Sequence, residues 1–419
     1  MTGIRISTLP NGLRVATDPM DSVETVSIGV WIEAGSRYEA PTISGVSHFL
    51  EHMVFKGTRR RDARAIAEEI EAVGGHLNAH TSREYTAFYA KVLKEDLSLP
   101  VDIIADILQD ATLDDGEVGR ERTVIIQEIM QAQDTPDDII FDRFQETAFP
   151  RQALGRPVLG SPELISAMSR DVLAGYRRVH YGAPRMVLAA SGRVDHDALL
   201  ELAKAAFDRQ PAAADGEREA ANYCGGDFRE ERDLEQVHLV LGFQGVGYRD
   251  PDFYPVSVLS TLLGGGMSSR LFQEAREKRG LVYSIYSFPS SYSDTGVFGI
   301  YAGTGEREVE ELVPLVCTEL GKIAHDVADT EIARARAQLK SGMLMSLEST
   351  SARCEQLARQ LMVFGRPIPI AESIARIEAV DRSAVARAAD RLLATPPTFA
   401  TIGPIERVAS YGDVVTQLG

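Results

Sequence analysis

The sequence predicts an α+β protein of two similar halves, each an α/β sandwich with helices on a mixed, largely antiparallel sheet. Three observations carry this. At 419 residues the chain is too long for one ordinary core. β-prone stretches are interleaved with amphipathic helical ones along its whole length. A shift of 210 residues lays Gly245 on Gly35 and Tyr248 on Tyr38, each after a strand-like run and before a helix. Two matched residues are also within the reach of chance, so the repeat is an expectation. It divides the chain into a first half (1–215), a linker (216–231) and a second half (232–419).

Composition narrows the class. Apolar residues at 44% and charged residues at 25% are those of a soluble globular protein. The first residues lack an apolar signal core, and no run of about 18 apolar residues occurs, so no membrane partner is expected. Three widely spaced cysteines, Cys224, Cys317 and Cys354, indicate neither a disulfide framework nor a cysteine metal site. A cytoplasmic, reduced protein is the simplest expectation. A net charge of −17 argues against nucleic acid and is compatible with an acidic cavity for cationic peptides, although charge alone favours a merely soluble acidic surface.

In chain order, Leu9-Pro10-Asn11-Gly12-Leu13-Arg14-Val15 reads as strand, Asn-Gly turn, strand. Residues 25–34, rich in β-branched and aromatic side chains, form the next strand. A polar loop then leads into a helix containing His48-Phe49-Leu50-Glu51-His52, uninterrupted by proline and stopped by Gly57. At roughly 100° per residue, with His48 at zero, His52 lies near about 40° and Glu51 near about −60°. Val46, Phe49, Leu50 and Met53 fall between roughly 100° and 200°, the face for a core. Two imidazoles one turn apart can therefore aim at a single ion, with the carboxylate between them placed as a general base. The order His-x-x-Glu-His is the inverzincin signature. A polar helix face with two ordinary histidines fits the same pattern until a third ligand is found.

Residues 63–73 follow as a helix with Asp62 as N-cap and Gly74-Gly75 as stop. Residues 76–92 alternate and are expected as a hairpin or two strands. His76 and His80 make a poor metal pair, being about 13 Å apart on a strand. Helices are expected at 95–110 and 116–132, then a loop-broken helical region to about 180, a strand at 185–192 and a helix at 195–207. In helix 116–132 the apolar residues Val118, Val124, Ile125, Ile126, Ile129 and Met130 spread around the wheel, so it is expected to be buried on most sides. Glu121 and Glu128, seven residues apart, share one stripe of it. They are read as a neighbouring carboxylate and the third ligand, though two surface glutamates in salt bridges fit as well. In the second half, the positions matching His48, Glu51 and His52 are Val258, Thr261 and Leu262.

His48-x-x-Glu51-His52, then Glu128 after 75 further residues, resembles the pitrilysin-type inverzincins, most of all their mitochondrial processing peptidase branch and its bacterial relatives. The likeness runs from Leu9-Pro10-Asn11-Gly12 into the C-terminal half. The resemblance implies one Zn2+ per chain held by His48, His52 and Glu128. It implies Glu51 as the base that activates water and Glu121 as a supporting carboxylate. The segment around Asn78 and Ala79 is then an edge strand to which a peptide substrate adds. Gly264-Gly265-Gly266 through Tyr283 resembles the signature of the second domain, with Arg276 and Tyr283 reaching toward substrate. In the branch with chains of this length two chains form a clamshell, so a homodimer completing its sites across the interface is implied. The activity implied is endopeptidase cleavage of basic, unstructured peptides. A non-catalytic scaffold subunit and the catalytic member of a heterodimer are the alternatives.

Overall fold

The computed structural model describes residues 3–211 and 218–418. Contacts gather them into two compact units, neither of which is one continuous stretch. The first comprises Met1–Met130, Arg156–Glu219 and Met345–Pro367; the second comprises Gln131–Gly155, Ala220–Leu344 and Ile368–Gly419. Each unit thus takes a helix from the chain segment expected to belong to the other.

The first unit is built on a six-stranded sheet of β1 (Arg5–Thr8), β2 (Arg14–Pro19), β3 (Thr25–Ile32), β4 (His76–Thr81), β5 (Thr86–Leu93) and β6 (Met186–Gly192), in the order β1-β2-β6-β3-β5-β4. Only β2 and β6 pair in parallel. Gly12 takes φ +94° in the turn between β1 and β2, as Asn-Gly predicts. Period-two alternation sorts β3 between two cores. Val26, Ile28, Val30 and Ile32 face one with α1 (Val46–Val54), α2 (Ala63–Ala72) and α3 (Ser98–Asp110). Trp31 faces the other, with Ala87, Val187 and Ala189, and helix Thr350–Phe364 covers it through Cys354, Leu357, Ala358 and Leu361. Arg353 fastens that helix by two hydrogen bonds to Asp18 of β2, at 2.6 and 2.7 Å. Asp62 caps α2 as expected, its carboxylate accepting from Ala65 N.

The second unit repeats this plan. Its strands β7 (Gly226–Glu231), β8 (Val237–Gly245), β9 (Val282–Ser291), β10 (Gly296–Thr304) and β11 (Thr398–Gly403) are ordered β7-β11-β8-β10-β9, the order of β2-β6-β3-β5-β4. The parallel pair is again β7 with β11. Register tests the repeat. His76↔Lys91 and Thr81↔Thr86 in one hairpin correspond at the 210-residue shift to Tyr286↔Tyr301 and Ser291↔Gly296 in the other. β8 runs three residues later than that shift, because Gly245 faces Gly296 where Ile32 faces Thr86. Gly245 therefore stands in the place of Ile32 rather than Gly35. Helix Phe253–Gly264, the counterpart of α1, carries no histidine or carboxylate.

Two expectations change. Of the stretch expected as linker, residues 216 and 217 lie outside the described residues, and Gly226–Glu231 is a strand held by β11. The helix expected at 116–132 is α4 (Asp115–Gln133), and it is buried along one stripe only: Val118, Glu121, Ile125 and Ile129. Val124 and Met130 lie off that stripe and are exposed. The next helix, α5 (Pro136–Ala148), packs on β8 and β11 of the second unit.

Candidate metal centre

The centre lies within the first unit, where α1 supplies both histidines and α4 the carboxylates. Gly45, before α1, has φ +93° and no side chain to cap the helix. Glu39 substitutes for it from the preceding loop: its carboxylate accepts from Gly45 N at 2.7 Å and Ser47 N at 2.8 Å. Ser47 donates its hydroxyl to Tyr176 at 2.8 Å. Val46, Phe49, Leu50 and Met53 sit in the core, which fixes the rotation of α1 and turns His48 and His52 the other way.

The predicted ligands converge. Nε2 of His48 is 3.6 Å and Nε2 of His52 is 3.7 Å from one oxygen, Oε2 of Glu128. One donor atom from each of the three lies within 4.8 Å of the others. Donors bound at 2.0–2.1 Å to a tetrahedral zinc stand about 3.4 Å apart, so the set has the span a zinc needs. The protonation state also fits. Burial, reinforced by the neighbouring His52, pushes the pKa of His48 down to about 3, which leaves a neutral ring with a lone pair to give. Its Nδ1 is buried without a hydrogen-bond partner. An ion at Nε2 would give this buried ring a polar contact that no protein hydrogen bond supplies among the described residues.

Glu121 is not one of the three. It is buried, and its Oε2 lies 3.0 Å from Nδ1 of His52, so it accepts the Nδ1 proton and leaves Nε2 to bind an ion. Its Oε1 lies 2.7 Å from Nζ of Lys56. Glu51 is half-buried and accepts from Thr81 Oγ1 at 2.5 Å. Burial raises its pKa above the usual carboxylate value, and the Thr81 hydrogen bond partly offsets that.

Asn78 and Ala79 lie on β4, the edge of the sheet, which packs beside α1. The Ala79 N–H is held by the side chain of Asn78 at 2.8 Å. His76 is exposed, and His80 packs edge-on to Tyr85 and Tyr89, a structural role as expected. Arg276 and Tyr283 belong to the second unit. The Arg276 guanidinium lies 4.9 Å from the Tyr283 ring and donates to Tyr283 O at 2.8 Å, and Tyr283 is 74% exposed. Glu39, Lys56 and Thr81 are contributors to which sequence reasoning gave no role. Only Lys56 left a signal, standing one helical turn beyond His52.

Two imidazoles and a carboxylate meeting at one point, with an ionisable carboxylate alongside, define a metallopeptidase-type centre on a doubled α/β sandwich. Comparison with known proteins then gives the family. The profile described as insulinase (Peptidase family M16) matches residues 14–162, and the one described as Peptidase M16 inactive domain matches residues 167–339. An uncharacterised zinc protease of Streptomyces coelicolor is 39% identical over 96% of this chain and 90% of its own. The mitochondrial-processing peptidase subunit beta of Mus musculus is 39% identical over 99% of this chain and 87% of its own. A crystal structure of a protease from Helicobacter pylori shares the fold, with a TM-score of 0.88 at 23% identity, over 96% of this chain and 99% of that one. The chain belongs to peptidase family M16.

Proposed function

We propose that the protein is a zinc-dependent endopeptidase acting on short or unstructured, basic peptides. The carrying observation is the convergence of His48, His52 and Glu128 on one point. Relatives named zinc proteases support zinc as the ion, and the one cluster of ligands found among the described residues would hold one per chain. When bound, zinc polarises the scissile carbonyl and lowers the pKa of water to about 7.

The remaining chemistry falls to the protein. Glu51 takes a proton from the attacking water as the C–O bond forms and delivers it to the amine as the C–N bond breaks. Its raised pKa suits it to that exchange, and Thr81 holds Oε2 so that Oε1 is free for the water. The open edge of β4 takes the peptide as an added strand, whose main-chain hydrogen bonds make little demand on sequence. The net charge of −17 favours cationic substrates. Arg276 and Tyr283 serve the site of a second copy, Tyr283 donating to the oxyanion of the tetrahedral intermediate.

A zinc chelator is expected to abolish cleavage of a basic test peptide, and added zinc to restore it. Glu51→Gln should keep one zinc per chain and lose turnover by about 10²–10⁴-fold; an active Glu51→Gln enzyme overturns the assignment. Mixing inactive Glu51→Gln chains with weakened Tyr283→Phe chains should recover activity if copies share sites, and no recovery would return Tyr283 to its own chain.

A further inference from the structure

Building on the metal-site reading above, we infer that Lys56 is a positioning residue of the centre: through Glu121 it holds the His52 ring so that Nε2 faces the ion. Glu121 is 5% exposed and sits on the buried stripe of α4 with Val118, Ile125 and Ile129. A carboxylate there is costly unless its oxygens are satisfied and its charge is compensated. His52 satisfies Oε2 with its Nδ1–H at 3.0 Å. A ring that gives Nε2 to a metal is neutral, so it brings a donor without a charge. The charge comes from Lys56, whose Nζ is 2.7 Å from Oε1 and which is the only lysine or arginine paired with Glu121 among the described residues.

Lys56 lies two residues past the end of α1, one turn beyond His52, so the ion pair also ties the end of α1 to α4. Without it Oε1 has no partner. The carboxylate is then free to swing toward solvent, and His52 loses the acceptor that fixes its ring. Outer partners of this kind are worth about 10–100-fold in metal affinity.

The test is zinc affinity of the full-length chain, measured by competition with a chromophoric chelator and therefore independent of peptidase activity. Lys56→Met, which keeps the length of the stem, should weaken zinc binding by about 10-fold or more, and Lys56→Arg should retain most of it. In a Glu121→Gln background the same Lys56→Met change should alter affinity by less than about twofold, because the route through Glu121 is already cut. Should Lys56→Met fail to fold by circular dichroism, Lys56→Leu is read in its place. Wild-type affinity in the variant, or an equal loss in both backgrounds, overturns the inference. A wild-type chain that binds no zinc, or a His48→Ala chain that binds it unchanged, sinks the metal-site reading instead.

Discussion

Glu39 shows how much of the centre rests on a residue that touches no ligand. Its two accepted N–H bonds satisfy donors at the start of α1 that Gly45 cannot reach. A carboxylate there also faces the positive end of the helix dipole. Burial nonetheless prevails and pushes its pKa up to about 7 from a usual 4.5. A raised carboxyl pKa means that the folded state binds the proton more tightly. Its stabilising share is thus fully present below about 4.5 and is lost as pH rises through about 7. Glu39→Gln cannot titrate and loses one of the two accepted bonds, a cost of about 1–2 kcal/mol. The stability advantage of wild type over Glu39→Gln, from urea unfolding, should therefore shrink between pH 5 and pH 8. An advantage that grows with pH contradicts this. His48 and His180 titrate in both proteins and cancel. None of this was legible in the sequence, because Glu39 acts on backbone groups six and eight residues away, which leave no mark on residue type.

At the level of elements, β4 joins binding to chemistry: Asn78 and Ala79 lie on the open edge, and Thr81 at its end holds Glu51 of α1. An added strand bonds through alternate residues only. N-methylating a substrate peptide one amide at a time should raise KM at every second position near the cleavage site and spare those between. A uniform or absent effect argues against strand addition. The hairpin of β4 and β5 was readable from its alternation, whereas α4 was read as more buried than it is. Its apolar residues are spread around the helix, and a wheel cannot say which stripe the neighbours will cover. Burial of Glu121 beside Ile125, with Val124 exposed, is decided by which side of α4 the core of the first unit covers.

At the scale of the whole molecule, the helix that closes the first unit is supplied by residues 350–364, far along the chain. It covers Trp31, Val187 and Ala189 with Leu357, Ala358 and Leu361. Two fully buried leucines alone stabilise by about 3–6 kcal/mol, a large part of the 5–15 kcal/mol typical of a domain. A chain ended at residue 215 is expected to aggregate or to melt far below the full-length protein, as read by light scattering and thermal unfolding. A soluble, cooperatively folding fragment would refute the role given to that helix.

By itself the sequence determined what depends on near neighbours. His48, Glu51 and His52 share a face because a helix turns by a fixed angle, Asp62 caps α2 and Asn11-Gly12 turns a hairpin. The 210-residue shift anticipated a repeat, but through Gly245, whose strand runs three residues out of that register. The sequence left Glu128 balanced between salt bridge and ligand until family resemblance tipped it. Only the tertiary structure decided that Glu128 meets both imidazoles, that Lys56 and Glu39 brace the site, and that a distant helix covers the first sheet. Those outcomes depend on which segments pack together across long chain separations, and neither helical periodicity nor turn preference carries that information.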